Sequence, residues 1–129
     1  MKLLAIDFGE RRIGLATSDA SGSLVTPRTV VERRRDDRAV EEIAAIARRE
    51  EVETLVVGLP RGADGRESAL APRVRSFARK LERALPLPIV FFNEHLTSRE
   101  ARSRFPRSVP EDAAAAAVLL EDYLSESSR

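Results

Sequence analysis

Apolar and β-branched residues open the chain in three short runs, Lys2–Phe8, Ile13–Ser18 and Leu24–Val31, parted by the turn-like pieces GERR and DASGS. Runs of that length separated by so little chain predict a meander of three antiparallel strands. The period then changes. Val40, Ile43, Ala44 and Ala47 recur at helical spacing to about Arg49, with Asp36 or Asp37 expected as the cap. Thr54–Leu59 (TLVVGL) and Ile89–Phe92 (IVFF) are continuous apolar runs, the pattern of strands covered on both faces. Between them Leu70, Val74, Phe77 and Leu81 form one stripe of a helix that reaches about Leu85 and tolerates Pro72 only in its first turn or at a kink. A short helical piece, Ser98–Arg104, and a last helix from near Pro110 to about Leu124 complete the pattern; residues 125–129 read as a frayed tail.

Three antiparallel strands followed by two strand–helix units, whose strands should lie parallel, make an α/β fold: a mixed five-stranded sheet flanked by helices. With 129 residues the expectation is one domain, 1–129, with one core.

Composition narrows the setting. The chain has no cysteine, which excludes a disulfide framework and thiolate metal sites and fits a reducing cytoplasm. No apolar run approaches the roughly 20 residues of a membrane span, and the opening MKLLAID lacks the features of a signal peptide, so a cytoplasmic protein without a membrane partner is expected. Net charge is only +1, yet all the basic residues but Lys2 and Lys80 are arginine, the cation best suited to bidentate phosphate contact. Codon bias is the simpler source of that preference, since the chain is also rich in alanine.

Candidate chemistry begins with Asp7, an acid inside the most apolar opening segment. A carboxylate at a strand end is costly to bury without a cation or hydrogen bonds. Asp7 either caps the turn at Gly9, pairs with Arg11 or Arg12, or serves a functional site. Glu94 stands in a matching place, where IVFF runs out into His95-Leu96-Thr97-Ser98. Two acids at strand ends on one sheet edge offer hard oxygen ligands suited to Mg²⁺ or Mn²⁺. Asp112 is a third candidate, although an acid after Pro110 is also what a helix N-terminus favours on dipole grounds alone. The alanines Ala113 to Ala117 that follow would let this helix approach the sheet closely.

Together these segments resemble the YqgF (RuvX) family of small bacterial proteins. The resemblance rests on Asp7-Phe8-Gly9 with Arg12-Ile13-Gly14-Leu15-Ala16 and Ser18-Asp19, and on Val56-Val57-Gly58-Leu59-Pro60 followed by Asp64-Gly65. It rests equally on Glu94 followed by Leu96-Thr97-Ser98 and Glu100-Ala101, and on Asp112 ahead of Ala114-Ala115. The match runs in order from Leu4 to Leu124. It implies a ribonuclease H-like fold and a nuclease for the 5′ end of precursor 16S ribosomal RNA, with Holliday-junction resolution as the other substrate option. Asp7, Glu94 and Asp112 become its acidic catalytic and metal-binding triad for Mg²⁺ or Mn²⁺. Where the family usually reads Asp-Glu-Arg before Leu-Thr, this chain has Asn93-Glu94-His95: the triad is kept, and a phosphate-binding arginine is replaced by the only histidine.

Around such a centre Arg11, Arg12, Arg61, Thr97 and Ser98 are the candidate contacts to the substrate backbone, and each could equally be a solvated surface residue. His95 is either a proton shuttle or phosphate ligand, or a loop residue with no such role. The partner expected is nucleic acid, an rRNA precursor or branched DNA, bound by a monomer or homodimer. Two rival readings carry their own signals. A non-catalytic nucleic-acid or ribosome-associated module of the same fold is favoured by the altered NEHL segment. An actin-like or sugar-kinase ATPase shares the Asp-x-Gly opening but needs a second lobe, for which 129 residues leave no room.

Overall fold

The alternating apolar runs do form strands, and they assemble in the order β3-β2-β1-β4-β5. The structure is a computed structural model that describes residues 1–60, 66, 68–94 and 103–127, without the side chains of Glu94 and Ser127. β1 (Leu3–Phe8), β2 (Arg12–Ser18) and β3 (Val25–Glu32) are the expected antiparallel meander. β4 (Thr54–Pro60) joins β1 in parallel, and β5 (Ile89–Glu94) joins β4 in parallel. Pro27 sits in the edge strand β3 opposite Ala16, next to a register shift between Leu15 and Ala16. An edge strand tolerates the missing N–H that a central strand would not.

Three helices of the described residues cover the two faces. α1 (Asp36–Arg49) and α2 (Ala71–Ala84) lie on one face, where Ile43, Val74, Phe77 and Leu81 pack with Leu4, Ile6, Phe8, Ile13, Leu15 and Leu55. α3 (Glu111–Ser127) lies on the other, with Leu119 and Leu120 against Leu3, Ala5 and Val56. Pro72 falls in the first turn of α2, the place where a missing N–H costs nothing. None of the described helices is long and apolar enough to cross a membrane.

Two expectations need correction. The N-cap of α1 is Arg35, with no side-chain cap, rather than Asp36 or Asp37. The Asp36 carboxylate is already engaged: it accepts from Arg33 Nη1 at 2.9 Å and from Lys80 Nζ at 2.9 Å, tying α1 to α2. The last helix continues past Leu124 to Ser127, because Tyr123 and Leu124 still pack on the cluster of Leu3, Val56 and Leu119. Of the expected helical piece Ser98–Arg104, only Ser103 and Arg104 are among the described residues.

Candidate active site

Asp7 occupies the last-but-one position of β1, half-buried, with Gly14 of β2 directly opposite it in the ladder. The turn beyond is closed by Gly9 N–H donating to the Arg12 carbonyl at 2.9 Å. That turn admits no side chain at Gly9, since a Cβ there would lie 2.6 Å from the same carbonyl oxygen.

Gly14 is what lets the third element in. A Cβ on Gly14 would fall 1.8 Å from the backbone oxygen of Asp112 and 3.0 Å from the nitrogen of Ala113. The first turn of α3 therefore rests directly on the β2 backbone, in space that any other residue would fill. Cross-strand partners project from the same face with Cβ atoms about 5 Å apart. Asp7 and the first turn of α3 thus meet at one corner, bounded by β1, β2 and the start of α3. Small residues sustain the approach further along, where Ala16 packs with Ala116 and Ala117 and a Cβ on Gly58 would press to 3.1 Å from Leu119.

Arg12 closes the corner from the β2 side. Its Nε lies 3.1 Å from Asp112 Oδ2, with the arginine side chain 66% and the aspartate 34% exposed. An ion pair this exposed contributes about 0–1 kcal/mol. It is a partner that a stronger cation can displace.

Glu94 ends β5, and its backbone stands opposite Pro60 of β4. Asp7 follows Ile6, which is level with Val57, while Gly58 is level with Phe92. Two strand spacings and two residues of rise therefore separate Asp7 from Glu94, about 12 Å between their Cα positions. Arg61, His95, Thr97 and Ser98 lie outside the described residues. Among the described residues no group of three His, Asp or Glu side chains is close enough to hold a metal ion, a set from which the Glu94 side chain is missing.

Other residues near this edge were not singled out by their sequence pattern. A cavity of about 500 Å³ is lined by Arg11, Arg12, Glu32, Arg33 and Arg34. The run Glu32-Arg33-Arg34-Arg35 at the end of β3 was its available signal, since a meander returns the end of its third strand to the first turn. Asp19, part of the opening motif, organises the β2–β3 loop instead. It accepts from the amides of Ser23 at 2.9 Å and Leu24 at 3.2 Å and from the hydroxyls of Ser21 and Ser23. The Leu24 amide above all, with the other donors, holds its carboxyl at about 2.

Residues 1–126 match the family described as RuvX, Holliday junction resolvase. A protein of Anaeromyxobacter sp. (strain Fw109-5), named as a candidate pre-16S rRNA nuclease, is 42% identical over 132 residues, covering 96% of this chain and 96% of its own. One of Crocosphaera subtropica with the same name is 36% identical over 132 residues, covering 95% of this chain and 92% of its own. Among solved structures, Thermus thermophilus RuvC superposes with a TM-score of 0.61 at 20% identity, over 99% of this chain and 97% of that one. A Fowlpox virus resolvase, solved with Holliday junction DNA, superposes with a TM-score of 0.64 at 10% identity, over the full length of both. At those identities the two structures share the fold with this chain.

Proposed function

The chain belongs to the RuvX family of Holliday junction resolvases, whose members are nucleases that hydrolyse phosphodiester bonds, and from that premise we propose a divalent-metal-dependent nuclease acting on structured nucleic acid. Its substrate on this reading is the 5′ end of precursor 16S rRNA, after the names of its relatives, with a four-way DNA junction as the other option. The observation that carries the proposal is the corner at Gly14, where the missing Cβ lets Asp112 arrive on the same face as Asp7. Two carboxylates brought to one strand end repel each other, and a bound cation would offset that repulsion.

The corner fits Mg²⁺ or Mn²⁺. Its donors are hard carboxylate oxygens, and one of them already draws a cation in the form of Arg12. Asp7 and Asp112 would be ligands, joined by Glu94, whose position shares strand parity with Phe92 on the α3 face. An ion held there would supply activation of water and stabilisation of charge on the phosphoryl group. The chain's own part is to hold the acids rigidly and to orient the anionic backbone. Arg11 and Arg12 border the site and would take non-bridging phosphate oxygens, a role assigned also to Arg61, Thr97 and Ser98. Were Asp112 to serve as a metal ligand, Arg12, whose pair with it is exposed, would be available to a substrate phosphate.

A cleavage assay on precursor rRNA ends and four-way DNA junctions tests this reading. Mg²⁺ or Mn²⁺ should support cutting, while EDTA or Asp7→Asn should abolish it. Cutting that survives either treatment would exclude the metal-nuclease mechanism. Tight binding without cutting under every metal condition would leave the non-catalytic module as the better account.

A further inference from the structure

The cavity beside the acidic corner shares Arg11 and Arg12 with the site described above, while Glu32, Arg33 and Arg34 have no part in the chemistry described so far. Among the described residues four of the five that line it are arginine, and Glu32 is the only carboxylate. The backbone builds it from two turns. Arg12 pairs with Glu32 across the β2–β3 ladder, and Arg33 N–H donates to the Arg11 carbonyl at 2.7 Å, so the first turn and the end of β3 are locked side by side.

The guanidiniums there are of two kinds. Arg33 is fixed: its side chain is only 10% exposed, its Cζ stands 5.1 Å above the Phe8 ring, and its nitrogens reach Asp36 and the Glu10 carbonyl. Its Nε is buried without a hydrogen-bond partner, a cost of about 1–3 kcal/mol that an apolar residue at this position would avoid. Arg11, Arg12 and Arg34 are exposed. Among the described residues Arg34 pairs only with Glu32, a 3.8 Å contact with side chains 90% and 73% exposed, too open to contribute much. Arg12 belongs to both places, lining the cavity while its Nε holds Asp112.

A concavity with one fixed, largely buried guanidinium and three exposed ones, and with Glu32 as the one carboxylate among its described lining residues, has the chemistry to take a phosphate. Guanidinium forks match phosphate oxygens bidentately, and a pre-positioned arginine loses little entropy on binding. From this we infer that the cavity of Arg11, Arg33 and Arg34 is a second phosphate site, which holds a backbone phosphate of the substrate strand flanking the bond cut at the acidic corner. The inference rests on the nuclease reading, since the shared Arg12 makes the cavity continuous with that corner. It adds Arg33 and Arg34 to the substrate contacts and gives the strand a direction, from the corner across the first turn to the end of β3.

The test is binding, measured without cleavage. Fluorescein-labelled four-way DNA junction and single-stranded RNA are titrated with the full chain in EDTA by fluorescence anisotropy, at several salt concentrations. Arg34→Glu should weaken binding about tenfold or more and make the slope of log K against log salt shallower by about one. Arg33→Gln should weaken it in the same direction. Arg49→Glu makes the same charge change at the far end of α1, about 20 Å along that helix, and should alter affinity less than about twofold. If Arg34→Glu and Arg33→Gln behave like Arg49→Glu while the wild type binds, the cavity is not on the strand's path and the inference falls alone. If the wild type binds neither probe, the nuclease reading falls with it. Inorganic phosphate and AMP are the remaining arm. If either binds the wild type tightly while Arg34→Glu leaves nucleic-acid affinity unchanged, the cavity serves a small anion and the inference is overturned.

Discussion

The two faces of the sheet are built to opposite specifications. Toward α1 and α2 the strands present Leu4, Ile6, Phe8, Ile13 and Leu15, met by Ile43, Phe77 and Leu81. Toward α3 they present Ala5, Gly14, Ala16 and Gly58, and the helix answers with Ala113, Ala116 and Ala117. Large buried side chains remove more apolar area from water and carry more of the stability. Small ones surrender that gain and let a helix backbone come down onto the sheet. The first face holds the fold together; the second places an acid of the last helix beside an acid of the first strand.

The comparison is most readily broken at Gly14. Gly14→Val must push the first turn of α3 away, because even a Cβ would overlap the Asp112 carbonyl oxygen. Cleavage should fall by about 10²-fold or more, as displacement of a catalytic group by an ångström does, with about 1–3 kcal/mol lost in urea unfolding. Phe77→Ala on the opposite face should reverse that pattern. It should cost about 3–5 kcal/mol of stability while the folded fraction keeps its cleavage rate.

Asp36 separates the faces by pH. The Lys80 hydrogen bond, and then Arg33, lower its pKa below the usual 3.8 against the opposing effect of burial. A carboxyl depressed in the folded state stabilises fully above its unfolded pKa, and that contribution is lost as pH falls through the folded value. Urea titrations from neutral pH downward should show the Asp36→Asn variant about 1 kcal/mol less stable at neutrality and equal to the wild type in acid. The smallest effect belongs to Glu51, which holds φ 55° just past α1. Its N–H bonds to Arg48 and that of Val52 to Ala47, the double closure usually made with glycine. Glu51→Gly should raise stability by about 0.5–1 kcal/mol and leave cleavage untouched.

Periodicity made the fold legible. Continuous runs such as TLVVGL mark strands sealed on both faces, and the stripe Val74, Phe77, Leu81 marks a helix, because both signals are local. The acid in β1 and the alanines after Asp112 were visible for the same reason. What local pattern could not carry is which distant groups meet. Arg12 was weighed as a partner for Asp7, whereas its Nε pairs with Asp112, a contact that exists only once α3 settles on Gly14. Asp36 looked like a helix cap until Lys80 of α2 claimed it. Arg33 and Arg34 carry no local signal of a site, because their cavity depends on β3 returning alongside the first turn.

The central claim is that Asp7 and Asp112 act as one unit, and a double-mutant cycle of cleavage rates tests it most directly. Asp7→Asn and Asp112→Asn should each lower the Mg²⁺-supported rate by about 10³-fold, and the double variant should be scarcely worse than either, as for groups that serve a single step. Losses that multiply in the double variant, or a single variant that cuts at close to the wild-type rate, would contradict it.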